Sequence, residues 1–276
     1  MLRKLLKHEF RATARVMLPL YLLTVVLALG TRLMGAWTHN LAMGNQFLEG
    51  FTAFLTGLMG IGFVLSVMAV FVVAWVLMIL RFRSNLLADE GYVMFTLPVS
   101  PHQLVWSKLI VSTVWFAGAV VIDAIAMVTL LADLSAFQGL AEFIQTMMRE
   151  LDAYLLGNGI AVVVELLVLA VVSCLGLCLS FYAPLAIGHS FAQHKMLLSV
   201  VFFFAIQVAV QMVTSVLFLL GIPVLDQLSW NWAAAIDQRI EFFHIFMWGS
   251  VLLSVVYCAV LYCLTLRMLS RHLNLE

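Results

Sequence analysis

The sequence has little charge and few residues that interrupt a helix. Only 10% of its 276 residues are Asp, Glu, Lys or Arg, and it contains five prolines. Soluble proteins carry about 25% charged residues. Apolar residues make up 64% of the chain, and the mean hydropathy is +1.11. So much apolar surface cannot be hidden in one soluble core, which excludes a soluble enzyme. A disordered chain is excluded too, because such chains are highly charged and poor in aromatics.

Cysteine is also scarce, and no motif for nucleotide chemistry is present. The four cysteines lie in apolar runs, so we interpret them as buried free thiols. The sequence has no G-x-x-x-x-G-K-[ST] loop to cradle phosphates. The seven histidines are scattered rather than clustered, which argues against a membrane-embedded enzyme. We therefore expect a chain that is not itself an enzyme and binds no cofactor or metal.

Six apolar stretches are long enough to span a membrane, for which roughly 20 residues are needed. The sequence therefore predicts an all-α, polytopic membrane protein, with one transmembrane domain over residues 1–276. The predicted spans are about 16–34, 54–79, 109–131, 160–187, 196–220 and 245–266.

Basic residues set the expected orientation. Six spans put both termini on one face, and that face holds eleven of the 14 Lys and Arg residues. The positive-inside rule then predicts cytoplasmic termini and a location in the cytoplasmic membrane. Residues 1–15 combine an apolar stripe with basic residues, which predicts an amphipathic helix lying in the headgroup plane. Of the two outer segments, 132–159 is predicted to form a helix on the outer surface. Segment 221–244 either dips into the outer leaflet or forms a plain surface helix.

The connection between spans 2 and 3 is the most specific stretch. Ser84–Glu90 predicts a short helix that Gly91 ends or bends. Ser100, followed by a proline at the first helical position, is placed to cap the next helix. A structured element therefore projects between two spans, with two carboxylates expected to be exposed, Asp89 and Glu90.

This connection resembles that of type-2 permeases of ATP-binding cassette (ABC) exporters. The resemblance is carried by Asp-Glu-Gly-Tyr at 89–92, by Thr-Leu-Pro-Val-Ser at 96–100 and by Ser-Lys at 107–108. It extends to the basic N-terminal helix, the six spans and the connection between spans 4 and 5. It implies a permease subunit that forms the translocation path of an exporter and couples to a separate ATPase.

The resemblance also implies partners and contact residues. A short coupling helix within 85–96 would dock on the ABC ATPase, which would hold ATP and Mg. A second permease chain, identical or a sibling, and the lipid bilayer would be the other partners, with no nucleic acid. The implied contact residues at the ATPase are Asp89, Glu90, Gly91, Tyr92, Met94 and Phe95.

Polar residues at membrane depth are functional candidates by default. Asp123 and Glu165 both fall in the outer third of the bilayer, and Arg32 reaches nearly the same level. These groups are suited to a structural ion pair with Arg32, to an outer-interface location or to substrate passage. Gln207 and Gln211 share one face of span 5, which suits either helix packing or a wet path.

An alternative function is a secondary transporter driven by an ion gradient, or another polytopic protein without an ATPase partner. Secondary transporters usually carry internal repeats and a charged site at the midplane. The sequence shows no clear repeat, and its carboxylates are not at the midplane.

Overall fold

In the computed structural model, the chain is helical throughout most of the residues that the structure describes. These are 2–41, 46–87, 90–96, 98–131, 142, 145–150, 152, 159–191, 193–229 and 236–271, and they include no β-strand. Six helices are long and apolar enough to cross a membrane. The chain is therefore a multi-pass membrane protein, as its composition predicts.

Seven helices have defined bounds. They are α1 (Leu2–Leu41), α2 (Gln46–Leu86), α3 (Glu90–Thr96), α4 (Pro101–Leu131), α5 (Gly159–Gly188), α6 (Lys195–Ser229) and α7 (Ile236–Arg271). Each predicted span falls within one of the six long helices, and each of these helices is longer than the span predicted for it. The helices outrun the spans because backbone hydrogen bonding continues through polar residues that hydropathy does not count.

The chain divides into two compact units. The first combines Met1–Arg81 with Trp106–Ile144, and the second combines Phe82–Val105 with Gln145–Glu276. The boundaries fall inside α2 and α4, so each of these helices contributes to both units.

The first unit is built from α1, α2 and α4. Two clusters of buried side chains join the three helices, and both contain alanines that allow close approach. One cluster is Met17, Tyr21, Val70, Ala74 and Ala119. The other is Ala28, Phe63 and Ala126.

In the second unit, α5 packs against α6 and α7. Burial along α5 is uneven. Its C-terminal residues from Cys178 to Gly188 are buried, except for the half-buried Phe181. Near its N-terminus, Ile160 and Leu167 are 69% and 61% exposed. The tightly packed part of this unit therefore lies at the C-terminal end of α5.

The N-terminus differs from the separate short helix that was predicted. Residues 2–15 are the first turns of α1, which continues through Pro19 to Leu41. Glu9 and Thr13 are buried there, and both contact side chains of α4. The apolar stripe could not indicate this because the contacts are tertiary. A position in the headgroup plane stays a prediction.

The short helix between spans 2 and 3 also lies later than predicted. Ser84–Leu86 belong to α2, and α3 begins at Glu90 and includes Gly91. The prediction of a helix over Ser84–Glu90 that Gly91 ends or bends is therefore wrong. The helix α3 does fall within 85–96, the region that the resemblance implied for a short helix. Its cause is the apolar run of α2, which continues into buried Leu86 and Leu87.

The cap of the following helix is confirmed. The Gln103 backbone N–H donates to the Ser100 hydroxyl at 3.4 Å and to the Ser100 carbonyl at 2.9 Å. Pro101 occupies the first helical position, where its missing N–H costs nothing.

Of the two predicted outer segments, 132–159 lies largely outside the described residues, whereas 221–244 is described except for 230–235. In the first, 145–150 is helical. In the second, the backbone of α6 runs on to Ser229 and that of α7 begins at Ile236. The proposed dip into the outer leaflet stays a prediction.

Candidate functional site

The connection that contains α3 belongs to a packed end of the second unit. Phe82, near the end of α2, stacks on Tyr182 of α5 with ring centroids 4.0 Å apart, and both side chains are fully buried. His102, at the start of α4, shares a hydrogen bond of 2.9 Å with the Tyr262 hydroxyl of α7. The end of α2, the start of α4 and the C-terminal parts of α5 and α7 therefore lie together. This agrees with their assignment to one membrane face; which face stays a prediction.

Within α3, the residues have different exposures. Gly91 is buried and Met94 half-buried, whereas the Tyr92 side chain is 51% exposed. Asp89 lies outside the described residues, as do the side chains of Glu90 and Phe95. Of the implied contact residues, Tyr92 is thus the described one that offers a large aromatic surface.

The connection between α5 and α6 is tightly constrained. A Cβ atom on Gly188 would lie 2.7 Å from the Lys195 carbonyl oxygen and 2.5 Å from the Ser199 backbone nitrogen. Neither backbone atom can move away cheaply, so only glycine fits. His194 adopts a φ of 54°, in the left-handed region. The sequence grouped these residues with the exporter resemblance but did not predict this geometry.

His189 is buried in the same connection. Its Nδ1–H donates to the Leu185 carbonyl at 2.9 Å, which fixes the tautomer. Burial lowers the pKa of His189 below its ordinary 6.5, and the charges of Arg83 and Lys195 lower it further, against the opposing effect of the Leu185 hydrogen bond. His189 is therefore a neutral hydrogen-bond donor at physiological pH.

In the first unit, the predicted pairing of Asp123 with Arg32 is not formed. The Arg32 guanidinium donates to the Thr129 carbonyl at 2.7 Å. Within the described residues, neither side-chain oxygen of Asp123 has a hydrogen-bond partner. The two residues were matched by depth alone, and depth does not specify the direction in which a side chain leaves its helix.

An ion pair that the sequence did not predict fastens α1 to α4. The Lys108 ammonium contacts the Glu9 carboxylate, with only 3% and 7% of the two side chains exposed. Next to it, the Trp115 indole N–H donates to the Thr13 hydroxyl at 2.7 Å, and the Tyr21 hydroxyl donates to the Trp115 carbonyl at 2.6 Å. One signal was available: Glu9 is the sole acidic residue among the first 15.

In the second unit, Glu165 is buried, as its position inside an apolar helix indicated. It contacts a side chain that the sequence did not predict as its partner. Oε1 of Glu165 lies 2.7 Å from Nδ1 of His244. Oε2 of Glu165 and Nε2 of His244 have no hydrogen-bond partner among the residues that the structure describes. The sequence had placed His244 in an outer segment, whereas α7 begins eight residues before it. The structure thus brings a carboxyl and an imidazole together within membrane-spanning helices.

The two amides predicted to share a face of α6 have different surroundings. Gln207 lines a cavity between α5, α6 and α7, whereas Gln211 is exposed on the helix surface. Only Gln207 is therefore placed to contact a bound molecule within this unit.

Compared with protein-family models, with curated proteins and with solved structures, the chain has no significant match. What the fold defines is a six-span helical membrane protein with a short helix, α3, between two of its spans. Within the described residues, no group of three or more His, Cys, Asp or Glu side chains could hold a metal ion.

Proposed function

We propose that the chain is the membrane permease subunit of an ATP-binding cassette exporter, coupled through α3 to a separate ATPase. It pairs with a second permease chain in the cytoplasmic membrane, with both termini in the cytoplasm. The observation that carries the proposal is α3 itself. It is a short helix between two spans that exposes Tyr92 and belongs to the packed end of its unit.

The argument for coupling is mechanical. Motion of an ATPase reaches membrane helices only through a contact that does not deform. The Phe82–Tyr182 stack and the His102–Tyr262 hydrogen bond join both flanks of the α3 connection to α5 and α7. Force applied at α3 is thereby passed to two spans of the second unit. The resemblance of 89–100 to the coupling loop of type-2 permeases supports the same role.

The test is site-specific photocrosslinking in the host cell. A benzophenone amino acid at Tyr92 should crosslink to an ABC ATPase, identified by mass spectrometry. The same probe at Trp37, an equally exposed aromatic at 59%, is the matched control and should not crosslink to it. Tyr92→Ala should lower ATPase recovery by about tenfold, as loss of a central aromatic anchor does at interfaces.

Two results would contradict the proposal. One is a crosslink of equal yield from both positions, and the other is purification of the active transporter without any ATPase. Gly91→Pro is not a useful test of α3, although Gly91 is one of the implied contact residues. Gly91 is the second residue of α3, and proline is tolerated in the first turn of a helix.

The contact between buried Glu165 and half-buried His244 favours a second candidate function, a transporter driven by a proton gradient. Intramembrane carboxyl and imidazole groups form proton relays in such proteins. Vesicles that contain the purified chain and an internal pH dye would then show proton uptake that Glu165→Gln abolishes. An ABC permease without its ATPase would show no such uptake.

A further inference from the structure

Three helices of the second unit line an open cavity of about 310 Å³. Its walls come from the middle of α5, from Gln207 on α6, and from Ser254 and Tyr257 on α7. Gln207 lies about 18 Å along α6 from Lys195, at about 1.5 Å per residue. Since the hydrocarbon core is about 30 Å thick, the cavity lies within the membrane-spanning part of the unit.

The cavity lies beside a close contact between α5 and α7. A Cβ atom on Gly176 would be 3.3 Å from the Cys258 sulfur and 3.4 Å from the Tyr257 ring. The Cys258 thiol donates to the Val172 carbonyl at 3.5 Å across the same contact. These two helices are thus held together, which leaves the third side of the cavity to α6.

The walls combine apolar side chains with several polar groups, and the described lining residues carry no charge. Several polar groups have partners inside the protein: the Ser180 hydroxyl donates to the Leu177 carbonyl at 2.7 Å, and the Ser254 hydroxyl donates to the Ser250 carbonyl at 2.8 Å. Among the described residues that line the cavity, none is Asp, Glu, Lys, Arg or His, so these residues offer nothing to balance the charge of an ion.

Two polar groups in the cavity wall are available to hydrogen-bond to a bound molecule. Within the part of the chain that the structure describes, neither the Ser173 hydroxyl nor the Gln207 amide hydrogen-bonds to another residue. An amide offers two donors and two acceptor lone pairs. Leaving such a group without a partner at membrane depth is costly. The cavity is therefore suited to a molecule that brings its own hydrogen-bonding group.

We propose that this cavity binds a small uncharged amphiphile, which enters from the bilayer and hydrogen-bonds to Gln207 through a hydroxyl or carbonyl group. The volume is at the lower end of the range for small-molecule sites. It equals about ten water-sized volumes of roughly 30 Å³ each, about the size of a ten-carbon alcohol. Apolar side chains of Val172 and Leu177 complete the wall and face the alkyl part. The site is independent of the ATPase proposal.

The experiment uses two photoreactive probes, a ten-carbon alkyl alcohol that carries a diazirine and the matching alkane without the hydroxyl. The full chain is reconstituted in lipid nanodiscs, labelled over a range of probe concentrations and digested for mass spectrometry. We expect saturable labelling by the alcohol at 172–180 and 254–258. The alkane should bind about three- to tenfold more weakly, the ratio that one hydrogen bond provides.

Three variants distinguish the effect of the hydrogen bond to Gln207 from the effect of the cavity volume. Gln207→Leu should reduce the preference for the alcohol to about one while keeping weak labelling by both probes. Gln211→Leu is the matched control, because it makes the same change one helical turn further along α6 and outside the cavity, and it should leave the preference intact. Ser173→Leu fills the cavity and should remove labelling by both probes.

Three results would overturn the proposal. They are labelling that does not saturate, equal labelling of wild type by the two probes, and an equal effect of Gln207→Leu and Gln211→Leu. A cavity that holds only water would give the first of these. Size-exclusion chromatography of each variant confirms that a lost signal does not come from unfolded protein.

Discussion

The buried ion pair between Glu9 and Lys108 allows a quantitative prediction about how α1 is held. Lys108→Met leaves the Glu9 carboxylate buried without its cation. Breaking a buried pair in this way costs about 3–5 kcal/mol, because the remaining buried charge loses its oppositely charged neighbour. For chains of 150–250 residues, 1 kcal/mol corresponds to about 2–4 °C in the unfolding midpoint. Lys108→Met should therefore lower the midpoint by about 6–20 °C, and Glu9→Leu should have a similar effect.

The double variant separates a charge effect from a packing effect. With Glu9→Leu and Lys108→Met together, no charge is buried and the side-chain volumes are nearly kept. Exchange of a buried ion pair for apolar residues is neutral or stabilising by about 1–4 kcal/mol. We therefore expect the double variant to unfold near or above the wild-type midpoint, although each single variant unfolds well below it.

The assay is the monodisperse fraction that remains in detergent after heating. Single variants within 2 °C of wild type, or a double variant as unstable as the singles, would refute the reasoning; this threshold is about 1 kcal/mol or less.

Two further predictions concern the connection between α5 and α6. Because the pKa of His189 is lowered in the folded protein, the unfolded chain binds more protons below pH 6.5, and stability should fall as the pH drops from 7.5 to 5. His189→Gln should flatten this dependence while exposed His8→Gln does not; equal slopes for both variants would contradict it. Gly188→Ala should cost about 1–3 kcal/mol or more through overpacking against backbone. Gly57→Ala, where a Cβ atom meets nothing within 4 Å, should leave the midpoint nearly unchanged.

The spans could be predicted from the sequence, but their side-chain partners could not. An apolar run reports that a helix crosses the membrane because hydropathy is a property of the segment alone. Arg32 and Asp123 were paired by depth, and the pair is not formed because contact also depends on helix rotation. His244 was missed because a polar stretch before span 6 was taken for a connection, whereas α7 already includes it.

The short helix α3 illustrates the same limit at a smaller scale. A structured element between spans 2 and 3 was predicted, and Ser100 was correctly identified as a cap. The start of the helix was misplaced by six residues because Leu86 and Leu87 looked like part of the new helix. They are instead buried at the end of α2, with Leu86 as its last residue and Leu87 directly after it, a role set by neighbours distant in the sequence.

Because burial along α5 is uneven, the thickness of the surrounding bilayer affects the free energy of one half of this helix more than that of the other. The C-terminal end of the helix is held by protein contacts, whereas its N-terminal half presents apolar side chains such as Ile160 and Leu167 to acyl chains. A helix adapts to a thinner or thicker bilayer by tilting, at a modest cost per ångström of mismatch. That adjustment falls on the half with fewer protein contacts, which carries Glu165. A change in acyl-chain length is therefore expected to change the surroundings of Glu165, while the packed end near α3 keeps its position.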